Sequence, residues 1–368
     1  MSWLILGALA PSFLITWSAA WFMRGRAEQL GLVDRPGGHK SHTQPVALGG
    51  GVAIWLGVVG TFAAGYVAIL LVQAGVVPRR VVPELFLVHL EGLAATYAKL
   101  LEILIVGTLL TLLGLADDRK QLDWRLRIGL QTLAALAMVA AGWRMTLFVD
   151  WPWLTGALSV FWIVGLINSF NMLDNMDGLA AGVAAIAAVM LSVVMLVAPG
   201  EPQLFVAGLL LVLAGSLGGF LVHNRYPARL YMGDAGSYLV GFLMAIATLA
   251  ATFVEGDTRR HALLAPLCVL AIPIYDTLSV VLIRLRQRRS PFQGDQSHFS
   301  HRLVKLGMSH RQAVRTIYLA AAACGLGAWL LYQVNLAGAI IVLAMVAAVL
   351  LLIARFEWVA SMRKRKDE

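Results

Sequence analysis

Charged residues are scarce in this chain. Only 13% of its 368 residues are Asp, Glu, Lys or Arg, whereas 60% are hydrophobic and the mean hydropathy is +0.78. A soluble domain with so few charges would have almost no solvated surface. The composition therefore excludes a soluble enzyme and indicates an integral membrane protein.

Three further absences narrow the class. The two cysteines, Cys268 and Cys324, fall inside apolar runs, which excludes a disulfide framework and a cysteine zinc site. The stretch from Trp3 to Met23 lacks a positively charged leader and a small-residue cleavage signal, so we expect a retained helix there. No nucleic-acid-binding motif accompanies the net charge of +9, so we expect no nucleic-acid partner.

Long apolar runs make up most of the chain. They approach the ~20 residues that a helix needs to cross a bilayer, whereas barrel strands would be ~10 residues of alternating polarity. The sequence predicts an all-α, polytopic helical bundle of about eleven transmembrane helices, forming one domain over residues 1–368. The predicted spans are residues 3–23, 49–73, 99–116, 127–143, 153–168, 179–198, 203–222, 237–254, 262–283, 313–333 and 336–354.

Lys and Arg are distributed unevenly between alternate loops. One set of loops holds most of them, including the basic tail at residues 355–368. The other set holds only Arg79, Arg80, Lys99, Arg144, Arg259 and Arg260. Because cytoplasmic loops carry the basic excess, we predict an external N-terminus and a cytoplasmic C-terminus. The positive charge thus indicates topology and contact with anionic membrane lipid, and secondly an anionic substrate.

Four short polar patches interrupt the apolar chain, at residues 115–119, 168–178, 232–237 and 295–302. All four, and the loop at residues 34–42, fall on the predicted cytoplasmic side. Carboxylates, amides and imidazoles are expensive to hold beside lipid unless they have a function. The pattern predicts a membrane enzyme whose active site lies at one face of the bilayer.

The first patch contains adjacent carboxylates, Asp117 and Asp118, at the end of a predicted helix. Such a pair does not ionise comfortably without a cation or several donors nearby, which is typical of Mg²⁺ or phosphate chemistry. The alternative is a solvated pair beside Arg119 and Lys120.

The second patch repeats polar residues every three positions. This spacing places them near one face if the helix continues, and Gly178 then permits a turn. Amide and carboxylate oxygens on one face suit a hard cation or a nucleotide base. The residues are Asn168, Asn171, Asp174 and Asp177.

The remaining patches allow two interpretations each. Asp234 is either a functional acid or the cap of a helix beginning near Ser237. His298, His301 and Arg302 within one helical turn suit phosphate binding, with zinc as the competing interpretation. Asp276 lies inside a predicted span, and we expect it to pair with the arginines of residues 284–289.

The ordered motifs resemble those of the polyprenyl-phosphate N-acetylhexosamine-1-phosphate transferase family, from about Gly31 to Leu303. They are Asp-Asp-x-x-x-Leu, Asn-x-x-Asn-x-x-Asp-x-x-Asp-Gly, Met-Gly-Asp-x-Gly-Ser, Pro-x-x-Asp-Thr, Ser-Pro-Phe and Asp-x-x-His-x-x-His-Arg-Leu. Members transfer a sugar 1-phosphate from a UDP-sugar to a membrane polyprenyl phosphate and release UMP. The resemblance implies Mg²⁺ as cofactor, with Mn²⁺ as an alternative, an active site on the cytoplasmic face of the inner (plasma) membrane, and allows a homodimer.

The resemblance also implies roles for individual residues. Asp117 and Asp118 match the catalytic acids, whereas Asn171 and Asp234 match metal ligands. The implied substrate-binding residues are Lys40, Arg127, Asn168, Asp174, Asp177, Asp276, His298, His301 and Arg302.

Two positions depart from the family pattern, since Asn175 stands where Gly is usual and Ser300 where many relatives have a second adjacent histidine. The motif at Ser300 favours members that use UDP-GlcNAc and undecaprenyl phosphate. The alternative is a phospho-MurNAc-pentapeptide transferase of peptidoglycan synthesis. A cation-coupled transporter is a distant alternative, because its binding groups would cluster near the bilayer midplane, where we expect only Asp276. A lipid synthase of the alcohol phosphatidyltransferase type would carry Asp-Gly-x-x-Ala-Arg, which this chain lacks.

Overall fold

The computed structural model describes residues 2–34, 45–78, 80, 82, 90–145, 151–198, 202–252, 260–290 and 297–367. Within them the chain is almost entirely helical, with one short antiparallel hairpin of β1 (Val33–Asp34) and β2 (Val46–Ala47). The helices are α1 Ser2–Arg26, α2 Gly50–Gln73, α3 Leu90–Lys120, α4 Trp124–Ala140, α5 Pro152–Leu173, α6 Leu179–Val197, α7 Leu204–Asn224, α8 Gly233–Ala250, α9 Ala265–Val269, α10 Ala271–Arg286, α11 Phe299–Lys305, α12 His310–Gln333 and α13 Leu336–Asp367, with a 3₁₀ helix at Arg260–Leu264.

Within the described residues each predicted span overlaps a helix, which confirms an all-α, polytopic membrane bundle. Nine of the described helices are long and apolar enough to cross a bilayer. The fourth predicted span is α4, which has only 17 residues. The ninth is a bent pair, His261–Val269 and Ala271–Arg286, whose axes differ by 69°. Pro273 explains the bend, because it cannot donate to the carbonyl four residues earlier. Eleven crossings and the orientation of the termini stay predictions.

Helix α8 forms the centre of the bundle. Of its apolar window 89% is buried, against 11% for α13. It packs against α2, α3 and α5. Large apolar side chains of the outer helices, such as Trp21 and Leu109, are exposed on the surface that faces lipid.

Glycines allow three helices to meet at the start of α8. A Cβ on Gly51 of α2 would lie 2.2 Å from the backbone nitrogen of Gly236, and one on Gly114 of α3 would lie 2.4 Å from that of Ala235. Small residues of this kind let helix backbones approach closely in a membrane. The contact brings the end of α3, which carries Asp117 and Asp118, against the first turn of α8.

The segment before α8 is joined to the start of α2. The backbone N–H groups of Gly50 and Gly51 donate to the carbonyls of Tyr231 and Met232, both at 2.9 Å. Two N–H groups that the first turn of a helix leaves unpaired are thereby satisfied. The segment leading to Asp234 therefore has a defined position beside the hairpin.

Candidate active site

Groups from the second and third polar patches meet at one end of the bundle, where α5 ends and α8 begins. The side-chain amide of Asn171 donates to Asp234 Oδ1 at 2.5 Å and to Ser237 Oγ at 3.1 Å. Two predicted metal ligands, 63 residues apart in sequence, are therefore direct neighbours. Ser237 orients the amide from one turn further along α8.

Asp117 is fixed from three sides. Its Oδ2 accepts hydrogen bonds from Arg127 Nη1 at 2.9 Å and from the Tyr238 hydroxyl at 2.7 Å. Its Oδ1 accepts from the Leu122 backbone at 2.8 Å, and the residue is 3% exposed. Charge-assisted bonds of this kind are short and specific in geometry. The Arg127 side chain is 28% exposed, so it is not sealed off by its contact with Asp117.

Asp118 has a different role from its neighbour. Its two oxygens accept hydrogen bonds from the backbone nitrogens of Asp234 and Ala235, at 2.7 and 3.3 Å. It therefore caps the N-terminus of α8 from another helix, which satisfies unpaired donors and places an anion at the positive end of the helix dipole. Gly233 has φ +70°, and a Cβ there would lie 2.5 Å from Asp118 Oδ2. The sequence-based alternative that Asp234 caps a helix near Ser237 is thus wrong, because the helix starts at Gly233 and Asp118 caps it.

The second patch does not continue as a helix. α5 ends at Leu173, and Gly178 adopts φ +76° before α6 begins. Only Asn168 and Asn171 keep the helical face. Asn168 donates to Gln131 Oε1 of α4 at 2.7 Å and to the Val164 carbonyl at 2.8 Å, so it joins α5 to α4.

Asp174 and Asp177 lie in the turn between α5 and α6. Asp177 Oδ2 accepts from the Ala228 backbone at 2.9 Å, and the Gly178 backbone donates to Asn224 Oδ1 at 3.0 Å. These bonds attach the turn to the segment that precedes α8. Burial, and then repulsion from Asp118 and Asp177, raises the pKa of Asp174 to about 7. Asp174 therefore keeps its proton up to about neutral pH, and a cation bound beside the turn would favour its charged form.

The last residues of the fourth patch, 299–302, begin α11, which is attached to α10. The buried carboxylate of Asp276 bonds to His298 Nδ1 at 2.9 Å and accepts from the Phe299 backbone at 2.6 Å. The partner of Asp276 is therefore His298, a residue outside the arginine group at 284–289 with which we expected it to pair. The bend before α10 and the return of the chain in α11 create this contact, which local sequence does not reveal.

Arg302 and His301 differ in their contacts. Arg302 donates from Nη2 to Ser279 Oγ at 2.8 Å and from Nη1 to the Ser297 carbonyl, so its guanidinium braces α11 on α10. His301 makes no ring hydrogen bond to a described residue. Burial, followed by the nearby His298, Lys305 and His310, lowers the pKa of His301 to about 4. Its imidazole is neutral at pH 7.

Lys40, the basic residue predicted for the first loop, lies outside the described residues. Conversely, sequence reasoning missed Ser237 and Tyr238, which bond to the predicted residues Asn171 and Asp117. It also missed Asn224, which accepts from the Gly178 backbone next to Asp177. Tyr238 and Ser237 follow Asp234 by four and three positions, so their helical spacing would have placed them on its face. No periodic signal marks Asn224.

A cavity of about 1320 Å³ opens beside the turn, with Asp177 and Tyr231 in its wall. Two acids, Glu28 and Asp177, line it, and basic groups outnumber them. The basic lining residues are Arg24, Arg225, Arg229, Arg311, Arg315, His223 and His310. The guanidinium of Arg311 stacks 5.2 Å from the ring centroid of Tyr226. An arginine-rich cavity of this kind suits an anionic ligand with an aromatic or planar part.

Comparison with known proteins identifies the chain. Residues 100–252 match the family described as glycosyl transferase family 4. A probable undecaprenyl-phosphate N-acetylglucosaminyl 1-phosphate transferase of Bacillus subtilis is 30% identical over 301 residues, covering 80% of this chain and 75% of the relative.

Two further relatives are similar over most of their length. The decaprenyl-phosphate N-acetylglucosaminephosphotransferase of Mycolicibacterium smegmatis is 34% identical, covering 83% of this chain and 77% of the relative. The undecaprenyl-phosphate alpha-N-acetylglucosaminyl 1-phosphate transferase of Escherichia coli K12 is 29% identical, covering 85% and 80%. The matched family region contains the first three polar patches, whose side chains converge at α8. At this identity and coverage, the chain belongs to glycosyl transferase family 4 and is a phosphotransferase embedded in a membrane by its apolar helices.

Proposed function

We propose that the protein transfers GlcNAc-1-phosphate from UDP-GlcNAc to a polyprenyl phosphate such as undecaprenyl phosphate and releases UMP. The observation that carries this proposal is the convergence of Asp117–Arg127 and Asn171–Asp234 at the start of α8. The named activities of the relatives supply the sugar and the class of acceptor.

The arginine-rich cavity is the place proposed for the donor nucleotide. A UDP-sugar carries two phosphates, and guanidinium groups pair with phosphate in a bidentate manner. Asp177 and Tyr231 both line the cavity, and Tyr231 lies close enough to feel the charges of the acidic turn. The diphosphate of a bound donor would therefore extend from the arginines toward the start of α8.

The donor set at α8 fits Mg²⁺. The described residues contain no cluster of three or more His, Cys, Asp or Glu side chains arranged for a metal. Mg²⁺, however, is usually held by one or two carboxylates together with waters and substrate phosphates. Asp234 and the amide oxygen of Asn171 would hold it, since Asp117 and Asp118 already accept hydrogen bonds on both oxygens. When bound, the ion would offset charge that develops on the phosphates.

The residues themselves suggest direct displacement. A phosphomonoester has a second pKa of about 6, so the acceptor is mostly dianionic at pH 7 and hardly needs a general base. Its oxygen would attack the β-phosphorus of the donor, and the bond from that phosphorus to UMP would break. Arg127, oriented by Asp117, would reduce repulsion between the two anions. The Tyr238 hydroxyl donates to the same Asp117 oxygen and helps to orient this pair.

We place this site at the cytoplasmic face of the inner (plasma) membrane. The ends of α3 and α7 that lie near it carry Arg119 and Arg225, as the positive-inside rule expects of cytoplasmic ends. A water-soluble nucleotide donor would also be available on that side.

The decisive assay uses the purified full chain in detergent with Mg²⁺. We expect UMP release from UDP-GlcNAc only when undecaprenyl phosphate is added, and a reversible loss of activity with EDTA. Asp234→Asn should lose activity by orders of magnitude. Asp123→Asn is the matched control, because it makes the same change at an exposed residue that caps α4. Turnover of UDP-MurNAc-pentapeptide with none of UDP-GlcNAc would refute the proposed donor.

A further inference from the structure

The two positions that depart from the family pattern contact each other in the structure. The Ser300 hydroxyl donates to Asn175 Oδ1 at 2.5 Å, across 125 residues of sequence. Ser300 is 1% exposed, so water cannot replace its partner. A buried hydroxyl without a partner is unfavourable, so loss of the Asn175 acceptor would destabilise this contact.

Asn175 is bonded on its other side to the end of α5. Its Nδ2 donates to the Met172 carbonyl at 2.8 Å, and its backbone donates to the Leu173 carbonyl at 2.9 Å. Carbonyls in the last turn of a helix have no helical partner, so these bonds fix how α5 ends. Asn171, which bonds to Asp234, is in the same turn. Asn175 therefore connects the last turn of α5 to Ser300, whose hydroxyl donates to its Oδ1.

Ser300 occupies a corresponding position in α11. It lies in the first turn of α11, two residues after His298, which bonds to Asp276 of α10. It also directly precedes His301, the imidazole of α11 that makes no ring hydrogen bond to a described residue. A displacement of Ser300 would therefore move His301 relative to the turn that holds Asp174.

We propose that Asn175 and Ser300 are positioning residues, whose hydrogen bond sets the separation between the α5–α6 turn and α11 and thereby the fit of the donor. The inference rests on the proposed function, because the donor is taken to lie beside this turn. The hydrogen bonds of the pair reach none of the three carboxylates at α8, so the pair acts through the placement of α11 and not on the reacting atoms.

A double-mutant cycle tests the pair. Ser300→Ala and Asn175→Ala should each lower kcat/KM for UDP-GlcNAc about tenfold, since each removes the bond between the two elements and leaves a half-buried Asn175 oxygen or the buried Ser300 hydroxyl without its partner. The loss should appear mainly as a higher KM for the donor, with little change in kcat. The kcat/KM of the double variant should be no lower than that of the less active single variant, because both changes remove the same interaction.

Conservative and unrelated changes provide the controls. Ser300→Thr keeps the hydroxyl and should recover most of the donor KM. Ser192→Ala also removes a buried hydroxyl, one that donates to the Val189 carbonyl within α6, and should leave KM unchanged. Ser300→His should raise the donor KM more than Ser300→Ala does, because an imidazole has no room at this buried position. Adding Asn175→Gly should reverse this increase.

The outcomes separate this inference from the proposed function. If the wild-type protein turns over UDP-GlcNAc and the two alanine effects multiply, or if KM stays constant while kcat falls, the positioning role is refuted. If the wild-type protein releases no UMP, the proposed function fails. The pair is then judged by the thermal-unfolding midpoints of the same four proteins, whose additive shifts would refute it as well.

Discussion

Removal of the Tyr238 hydroxyl is the sharpest test of the carboxylate network. Tyr238 is 1% exposed, and its hydroxyl makes the shortest of the three hydrogen bonds that Asp117 accepts, at 2.7 Å. Tyr238→Phe deletes this donor with almost no change in shape. Asp117 would keep Arg127 and the Leu122 backbone as partners, so we expect the fold to persist.

The size of the effect follows from the charge of the acceptor. A hydrogen bond to a charged group contributes about 1.5–3 kcal/mol. Because two other donors remain, we expect the lower part of this range, which corresponds to a loss of about 10–30-fold in kcat. KM for the donor should change little, since Tyr238 contacts Asp117 and does not line the arginine-rich cavity.

Steady-state UMP release at saturating prenyl phosphate measures this loss, and thermal unfolding in detergent measures stability in parallel. Tyr332→Phe makes the same chemical change near the C-terminal end of α12 and should stay within about twofold of the wild type. A Tyr238→Phe protein with unaltered kcat would refute the argument that Asp117 must be oriented. So would an activity loss fully explained by unfolding at the assay temperature.

Three further predictions address the cap, the acidic turn and the topology. Asp118→Ala should lower the free energy of unfolding by about 0.5–2 kcal/mol, as loss of a helix cap does, and an unchanged thermal midpoint would contradict the cap. Asp174 has its pKa raised from 3.8 to about 7, so its contribution to stability is complete below pH 3.8 and is lost as pH rises through 7. Asp174→Asn should therefore flatten the decline of the unfolding midpoint across that window, and an unaltered slope would show that this carboxylate does not titrate there. In a cysteine-free background, Lys120→Cys should react only with membrane-permeant thiol reagents, whereas Ala74→Cys should react with impermeant ones in intact cells, and the reverse pattern would invert the topology.

The sequence by itself determined the class of the molecule and most of the candidate residues. Apolar runs about 20 residues long identify membrane helices because no other uninterrupted segment satisfies its backbone in lipid. Polar groups at the ends of those runs stand out for the same reason. Asp117, Asn171 and Asp234 could therefore be selected from their types and positions, and the structure places all three at the start of α8.

Only the tertiary structure decided what each group contacts. Asp117 and Asp118 are neighbours in sequence, yet one pairs with Arg127 whereas the other caps α8 from 116 residues away. Likewise, the bend before α10 gives Asp276 a histidine partner. Local periodicity reports only which residues share a helix face, whereas these contacts depend on how closely glycine-lined helices approach and where a turn leaves the helix. Hydrogen-bond partners across a bundle are therefore a property of its packing.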